Sequence, residues 1–355
     1  MHITDAGRVV IAGFDGTIAG EHVKEALKLG VGGFILFRRN IETPEQTVEL
    51  IADIRSLAGK RRLLFAVDQE GGRVARFDEP WTIWPPMRAL GKIGDATLAR
   101  QFGQAVAREL RAVGFDIDFA PVADVDSNPQ NPVIGDRSFG ADPKIVGRMV
   151  KAVIDGLQSE GVWACAKHFP GHGDTETDSH LELPVIRHKI KRLEQVEFPP
   201  FQAAIEAGVA CIMTAHILVE AIDEKNPATL SMPALSMLRE RFGFQGLIIS
   251  DDLEMKAIAE RYPLDQAAVR AAEAGADLLL VCHDLEMQER VIRGLYDARA
   301  TGKLSALRLD EMHKRLERTM SRFSPPEKAD LKVIGCEEHK RLARRIEDCR
   351  LTIVD

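Results

Sequence analysis

The chain alternates short apolar runs with longer segments whose apolar residues recur at helical spacing. The runs are rich in Val, Ile and Leu, as expected of parallel strands that are buried on both faces. Eight runs of this kind occur along the chain: Val9–Phe14, Gly33–Phe37, Leu63–Val67, Phe115–Ala120, Val162–Ala166, Cys211–Ala215, Leu247–Ile249 and Asp277–Val281. They predict eight buried strands.

The segments between these runs have the spacing of amphipathic helices. They include Pro44–Leu57, Thr97–Val113, Pro143–Glu160, Pro199–Ala207, Met232–Phe242 and Leu264–Ala274. Eight strands alternating with helices predict a single (β/α)8 TIM barrel. A doubly wound open sheet is the alternative, but no GxGxxG sequence follows the first run.

The length also favours one catalytic domain over residues 1–355, because 355 residues that are 45% hydrophobic supply ample core for one barrel. After Ser324-Pro325-Pro326, we expect residues from about 325 to 355 to form a peripheral C-terminal tail with a helix and a short strand.

Ionisable residues stand where several predicted strands end. The third run is followed by Asp68–Glu70, the fifth by Lys167 and His168, the sixth by His216 and the seventh by Ser250–Asp252. In a barrel these ends face one side, where active sites lie. Grouped ionisable residues are costly unless they pair or do chemistry, so this side is the predicted site.

The segment Lys167–His180, which we call the 167–180 loop, carries Asp178 two residues before His180. Pro170 disfavours a helix here, and the neighbouring glycines permit unusual backbone angles. A carboxylate that orients an imidazole produces a credible general acid and base. An ordinary turn with a solvated histidine explains the same pair, and the spacing does not decide between them.

Asp251 directly follows a predicted strand, where a carboxylate is held rigidly and suits a nucleophile. Alternatively, Asp251 or Asp252 caps the helix that follows, since Asp is a favoured N-cap residue. We assign the chemistry to Asp251 and the capping or bracing role to Asp252. Spacing alone leaves that choice open.

Four blocks of sequence resemble glycoside hydrolase family 3, in its bacterial β-N-acetylglucosaminidase branch. They keep their order and approximate spacing, which makes the signal far more specific than one short motif. The blocks are Asp68–Arg76, Gly135–Phe139, Lys167–His180 with Leu183-Pro184, and Gly246–Met255.

The resemblance implies a role for each matching residue. Asp251 corresponds to the nucleophile of a retaining mechanism, His180 to the acid/base on the loop, and Asp178 to its partner. A histidine would thus replace the second carboxylic acid of most retaining glycosidases. Five residues correspond to positions that bind the hydroxyl groups of N-acetylglucosamine: Asp68, Arg76, Arg137, Lys167 and His168.

The same resemblance implies an enzyme that removes N-acetylglucosamine from muropeptides, such as the disaccharide with 1,6-anhydro-N-acetylmuramic acid, during peptidoglycan recycling. No cofactor or metal is expected. The net charge of −7, without a basic face, argues against nucleic acid as a partner. Five cysteines without CxxC spacing, and no apparent signal peptide or bilayer-spanning run, predict a cytoplasmic protein that does not enter membranes. We expect a monomer.

Three other functions are weighed against this one. Phosphorolysis is a close alternative, because a histidine tolerates a phosphate acceptor better than a carboxylate would. A metal-dependent barrel hydrolase could use the histidines, but the first strand lacks an HxH pair. A non-catalytic sugar-binding protein is disfavoured because Asp251, Asp178 and His180 are all present.

Overall fold

The structure, a computed structural model, describes residues 2–175, 179, 182–326 and 330–352, without the side chains of 350–352. Eight parallel strands close into a barrel, as predicted. In their order around the barrel they are β1 (Val10–Ala12), β2 (Gly33–Ile35), β3 (Leu64–Val67), β4 (Ile117–Asp118), β5 (Trp163–Phe169), β7 (Cys211–Thr214), β9 (Leu247–Asp252) and β10 (Leu278–Val281). Two short strands, β6 (Val185–Ile186) and β8 (Leu218–Val219), pair outside the barrel.

Helices surround the barrel. They are α1 (Ile3–Gly7), α2 (Glu21–Leu29), α3 (Pro44–Ala58), α4 (Met87–Ile93), α5 (Ala96–Val113), α6 (Pro143–Ser159), α7 (Ile190–Gln195), α8 (Phe198–Glu206), α9 (Met232–Ser236), α10 (Lys256–Ala259), α11 (Leu264–Ala274), α12 (Leu285–Ala300), α13 (Ala306–Arg322) and α14 (Glu337–Thr352). A π-helical turn covers Met237–Arg241, and 3-10 turns cover Arg38–Asn40, Gly135–Arg137, Ala228–Leu230 and Leu331–Val333. No described helix is long and apolar enough to span a bilayer.

Local sequence signals explain where the long helices begin. The side chains of Thr43, Asp95 and Asp142 accept hydrogen bonds from the first free amide groups of α3, α5 and α6. Pro44 and Pro143 then occupy the first helical position, where a missing N–H costs nothing. These helices therefore match the predicted segments to within one residue at each end.

Two glycines bring α5 and α6 into backbone contact. A Cβ atom on Gly103 would lie 2.6 Å from the carbonyl oxygen of Val153. One on Gly156 would lie 2.3 Å from that of Arg100. Neither glycine can therefore be replaced without separating the helices. Since α6 also packs on β5, this close packing helps to position the strand that carries two of the predicted site residues.

The strands differ from their predicted lengths in ways that matter for the site. We expected β5 to end at Ala166 and β9 at Ile249, but β5 continues through Phe169 and β9 through Asp252. Lys167, His168 and Asp251 consequently belong to the barrel wall itself. Hydrophobicity ends before the hydrogen bonding does, because these polar residues still pair with neighbouring strands. In the tail, residues 330–352 contain a 3-10 turn and α14 but not the expected strand.

Candidate active site

A cavity of about 420 Å³ opens at the carboxyl ends of the barrel strands. Its size suits a small ligand, and its walls combine apolar side chains with converging charged groups. Six of the eight predicted site residues lie close to or in its wall: Asp68, Arg76, Arg137, Lys167, His168 and Asp251. The structure therefore confirms that the strand ends bring these six residues together around one cavity.

Asp68 stands at the end of β3 between two cations. Its Oδ1 accepts a hydrogen bond from Lys167 Nζ at 2.7 Å, and its Oδ2 accepts one from Arg76 Nη2 at 3.0 Å. Burial would raise the pKa of Asp68, but the charges of Lys167 and Arg76 lower it overall. The carboxylate is thus ionised and held in a fixed orientation.

Glu70 forms the buried centre of a second charged group. Arg137 donates to both carboxylate oxygens at 2.8 Å, and Lys167 Nζ lies 2.7 Å from Oε1. Burial would raise the pKa of Glu70, but the charges of Arg137 and Lys167 hold it well below its usual range. Burial would lower the pKa of Lys167, but Asp68 and Glu70 hold it above its usual value. Glu70 likewise holds the pKa of Arg137 above its usual value against the effect of burial. All three groups are therefore charged.

His168 is oriented by a fully buried carboxylate, Asp124. The ring Nδ1 lies 2.7 Å from Asp124 Oδ2, and the carboxylate also accepts the backbone N–H groups of His168 and His172. Burial would raise the pKa of Asp124, but its contact with the ring of His168 and the backbone N–H of His172 lower it overall. With Nδ1 donating to Asp124, Nε2 faces Arg137 Nη2 at 3.5 Å and is available as an acceptor.

Asp251 projects from β9 into the same cavity. Burial alone would raise its pKa, but His216, His168 and the backbone N–H of Asp252 lower it overall. Asp251 is therefore an ionised carboxylate on a rigid strand, without a carboxylate-to-cation hydrogen bond among the described contacts. This is the condition that a nucleophile needs.

Asp252 makes the bracing contacts that we had assigned to it. Its Oδ1 accepts the backbone N–H groups of Glu254 and Cys282 at 3.2 Å, and its Oδ2 lies 3.3 Å from His283 Nε2. It thereby ties the end of β9 to the end of β10. The alternative that Asp251 or Asp252 is the N-cap residue is wrong, since Met255 occupies that position in α10.

The described part of the 167–180 loop folds over the cavity. His172 lies 2.8 Å from Thr175 Oγ1 through Nδ1 and 3.0 Å from Ser179 Oγ through Nε2. His172 and Ser179 both line the cavity. Asp178 and His180, the predicted acid/base pair, lie outside the described residues. Ser179, which stands between them in the chain, is the nearest described position to both.

Three buried carboxylates near the site were not among the predicted site residues: Glu70, Asp118 and Asp124. Glu70 and Asp124 orient Arg137 and His168, and Asp118 accepts the backbone N–H of Gln69 at 3.0 Å. Burial raises the pKa of Asp118 well above its usual value. Glu70 and Asp124 follow β3 and β4, and Asp118 is the last residue of β4. That position was the available signal.

The histidines and carboxylates do not form a metal site within the described ranges. No group of three or more His, Cys, Asp or Glu side chains there has the arrangement needed to hold an ion. Positive charge in the cavity wall comes from arginine and lysine side chains, among them Arg76, Arg137 and Lys167.

Comparison with known proteins places this site in context. The sequence model of the glycosyl hydrolase family 3 N terminal domain matches residues 8–319. The beta-hexosaminidase of Nitrosomonas eutropha is 42% identical over 288 residues, which cover 78% of this chain and 82% of that protein. The beta-hexosaminidase of Hydrogenovibrio crunogenus is 40% identical over 312 residues, or 86% of each chain.

Solved structures give the same result for the fold. A glycoside hydrolase family 3 beta-N-acetylglucosaminidase from Paenibacillus superposes with a TM-score of 0.93 at 38% identity, covering 99% of this chain and 69% of that one. NagZ from Neisseria gonorrhoeae, solved with N-trifluoroacetyl-D-glucosamine, superposes with a TM-score of 0.80 at 33% identity, covering 96% and 98%.

Proposed function

Because this chain belongs to glycoside hydrolase family 3 and is a glycosidase of the β-hexosaminidase class, we propose that it is a retaining exo-β-N-acetylglucosaminidase that acts on muropeptides. It removes a non-reducing terminal N-acetylglucosamine, for example from the disaccharide with 1,6-anhydro-N-acetylmuramic acid, in peptidoglycan recycling. The observation that carries the proposal is the position of Asp251: an ionised strand carboxylate facing a cavity lined by sugar-binding groups.

The charged network supplies the contacts for the sugar. Carboxylate, ammonium and guanidinium groups form strong hydrogen bonds to hydroxyl groups, and here they are already oriented by one another. Asp68, Lys167 and Arg76 form one set, and Arg137 with His168 forms the other. Holding the sugar ring between these sets presents its anomeric carbon to Asp251, which lowers the entropic cost of the reaction.

The proposed reaction has two chemical steps. Asp251 attacks the anomeric carbon while His180 gives its proton to the departing glycosidic oxygen, so that the aglycone leaves and a covalent glycosyl-enzyme forms. His180 then takes a proton from water, the resulting hydroxide displaces Asp251, and the β configuration is restored. Asp178 orients His180 and favours its protonated form. The presence of Ser179 in the cavity wall supports this assignment to its two neighbours.

The cellular setting is part of the proposal. We place the enzyme in the cytoplasm as a monomer that binds neither nucleic acid nor membranes. Three cysteines, Cys165, Cys211 and Cys282, are buried without a disulfide, which fits a reducing compartment.

Trapping the intermediate tests the proposal. A fluorinated N-acetylglucosamine analogue slows the second step, so we expect one covalent label per chain on the peptide that contains Asp251. Asp251→Asn should take up no label. Label on any other residue would overturn the assignment of the nucleophile.

A second measurement separates hydrolysis from phosphorolysis. We expect the purified protein to release free N-acetylglucosamine from the muropeptide at the same rate with and without inorganic phosphate. Accumulation of a sugar 1-phosphate would establish the alternative reaction. Failure to cleave any β-N-acetylglucosaminide would instead restore the non-catalytic sugar-binding function.

A further inference from the structure

The C-terminal segment, residues 330–352, lies beyond the part of the chain that the family model matches, yet it is anchored in the protein interior. The match ends at residue 319, whereas α14 begins at Glu337. From α14, His339 reaches inward and is only 2% exposed. Its Nδ1 lies 2.7 Å from Oε1 of Glu109, a buried carboxylate on α5. An external appendage would not need such a buried polar contact.

Glu109 joins three separate parts of the chain. In addition to His339, its Oε1 accepts the hydroxyl of Thr82 and the backbone N–H of Gly335, the latter at 3.1 Å. Its Oε2 accepts the backbone N–H of Thr82 at 3.2 Å. Helix α5, the loop of residues 79–86 and the C-terminal segment therefore share one carboxylate. Satisfying it requires all three to be in place.

The 79–86 loop in turn supports the loop of residues 68–76, which carries Asp68, Glu70 and Arg76. The backbone N–H of Gly72 donates to the carbonyl of Trp84 at 3.0 Å. A Cβ atom on Gly72 would lie 2.8 Å from Pro86, so the two loops are in direct contact. A displacement of the 79–86 loop would therefore be passed to the 68–76 loop.

The C-terminal segment also contacts the 79–86 loop directly. A Cβ atom on Gly335 would lie 1.8 Å from the carbonyl oxygen of Pro80, and the φ angle of Gly335 is +56°. The ring of His339 lies 6.5 Å from that of Trp84, which packs edge-on against Phe102 at 5.0 Å. The C-terminal segment thus contacts the 79–86 loop at Pro80 and at Trp84.

We propose that His339 is a positioning residue for the sugar site: through Glu109 and the 79–86 loop it holds the 68–76 loop in its binding geometry. This inference rests on the proposed function, because it assigns the 68–76 loop to N-acetylglucosamine. It gives the C-terminal segment a role in substrate affinity. The sequence had predicted these roughly 20 residues to be peripheral.

The test compares two substitutions at one position in the full chain. His339→Asn keeps an N–H donor near the place of Nδ1, whereas His339→Leu removes it at similar volume. Glu338→Gln is the matched control on the same helix, since Glu338 is exposed and its contact with Arg108 is 3.9 Å long. For each variant, kcat and KM are measured on a chromogenic β-N-acetylglucosaminide, and binding of N-acetylglucosamine is measured by calorimetry.

We expect His339→Leu to raise both KM and the Kd of N-acetylglucosamine by roughly tenfold, since small displacements of binding groups are costly. His339→Asn and Glu338→Gln should stay within about twofold of the unchanged protein. A merely structural role would lower the folded fraction and leave KM and Kd unchanged, which would overturn the proposal. If His339→Leu does not fold, Thr82→Val removes the contact from the side of the 79–86 loop and should raise the same two constants.

The outcomes also separate this inference from the proposed function. If the unchanged protein binds N-acetylglucosamine but does not cleave the glycoside, the proposed reaction fails while Kd still tests the role of His339. If it cleaves the glycoside and all variants retain its KM, only the role of His339 fails. An unchanged protein that neither binds nor cleaves would refute both.

Discussion

Replacing Glu70 by Gln should weaken both the stability of the protein and the binding of the sugar. Glu70 is 1% exposed and receives three charged contacts, two from Arg137 and one from Lys167. A glutamine carries no charge and offers only one acceptor oxygen. Its NH2 group would face an N–H donor of one of the two cations, so at least one contact becomes repulsive.

The size of the effect follows from these contacts. Removing one partner of a buried ion pair costs about 3–5 kcal/mol of the free energy of unfolding, because the remaining charge is left without compensation. For catalysis, losing one oriented charge-assisted hydrogen bond of about 1.5–3 kcal/mol corresponds to a loss of roughly 10- to 150-fold in kcat/KM. Both values should be accessible, from denaturant unfolding and from initial rates on a chromogenic substrate.

Asp136→Asn is the appropriate control for this experiment. Asp136 pairs with Arg73 at 3.3 Å near the same cavity, but both side chains are half exposed. An exposed pair contributes about 0–1 kcal/mol, so this variant should remain close to the unchanged protein. If Glu70→Gln also stayed within about 1 kcal/mol and twofold in kcat/KM, the reasoning about the buried charges would be wrong.

Four further predictions concern other groups of the site. Asp251→Ala should abolish turnover, measured as release of a chromophore, while binding of N-acetylglucosamine persists. His180→Ala should reduce kcat/KM most for substrates with poor leaving groups, which a series of aryl glycosides would reveal. The pKa of His172 is lowered by burial to about 4, so its neutral form contributes stability above pH 6.5 that is lost as the pH falls towards 4. Urea unfolding of His172→Asn across that range should show a weaker loss. Burial raises the pKa of Asp118, so ionisation costs stability as the pH rises above about 3.9, and Asp118→Asn should gain stability relative to the unchanged protein between pH 5 and 8.

Each of these predictions has a clear contrary result. Residual turnover by Asp251→Ala with label on another residue would move the nucleophile elsewhere. Equal losses for good and poor leaving groups would remove His180 from the role of acid. A stability difference that does not change with pH would show that His172 or Asp118 does not titrate as its surroundings require.

The sequence predicted the barrel well because its signals are local. Apolar runs and amphipathic spacing located all eight barrel strands, and the N-cap residues determine where α3, α5 and α6 begin. Strand ends were less accurate: β9 runs on to Asp252 because backbone pairing with β10 continues past the apolar residues. A run of apolar residues shows where a strand is hydrophobic, but it does not show how far the backbone hydrogen bonding of that strand continues.

The site was predicted only in part for a related reason. Asp68, Lys167 and Asp251 were found because they follow predicted strands and because their motifs resemble a known family. The partners that orient the site residues are distant in the chain: Glu70 lies 67 residues from Arg137, and Asp124 lies 44 residues from His168. Only the closed barrel brings them together, so no local pattern could pair them. The contact of His339 with Glu109 spans 230 residues and was missed for the same reason.

The alternation of acids and bases around the cavity also governs how the protein should respond to its medium. Asp68 and Glu70 contact Arg76, Lys167 and Arg137 directly, so these opposite charges largely cancel before any ligand arrives. An uncharged sugar entering such a pocket displaces no counterions and is not steered from a distance. Its association should therefore be nearly independent of ionic strength, and inhibitors will derive affinity from hydroxyl geometry more than from net charge.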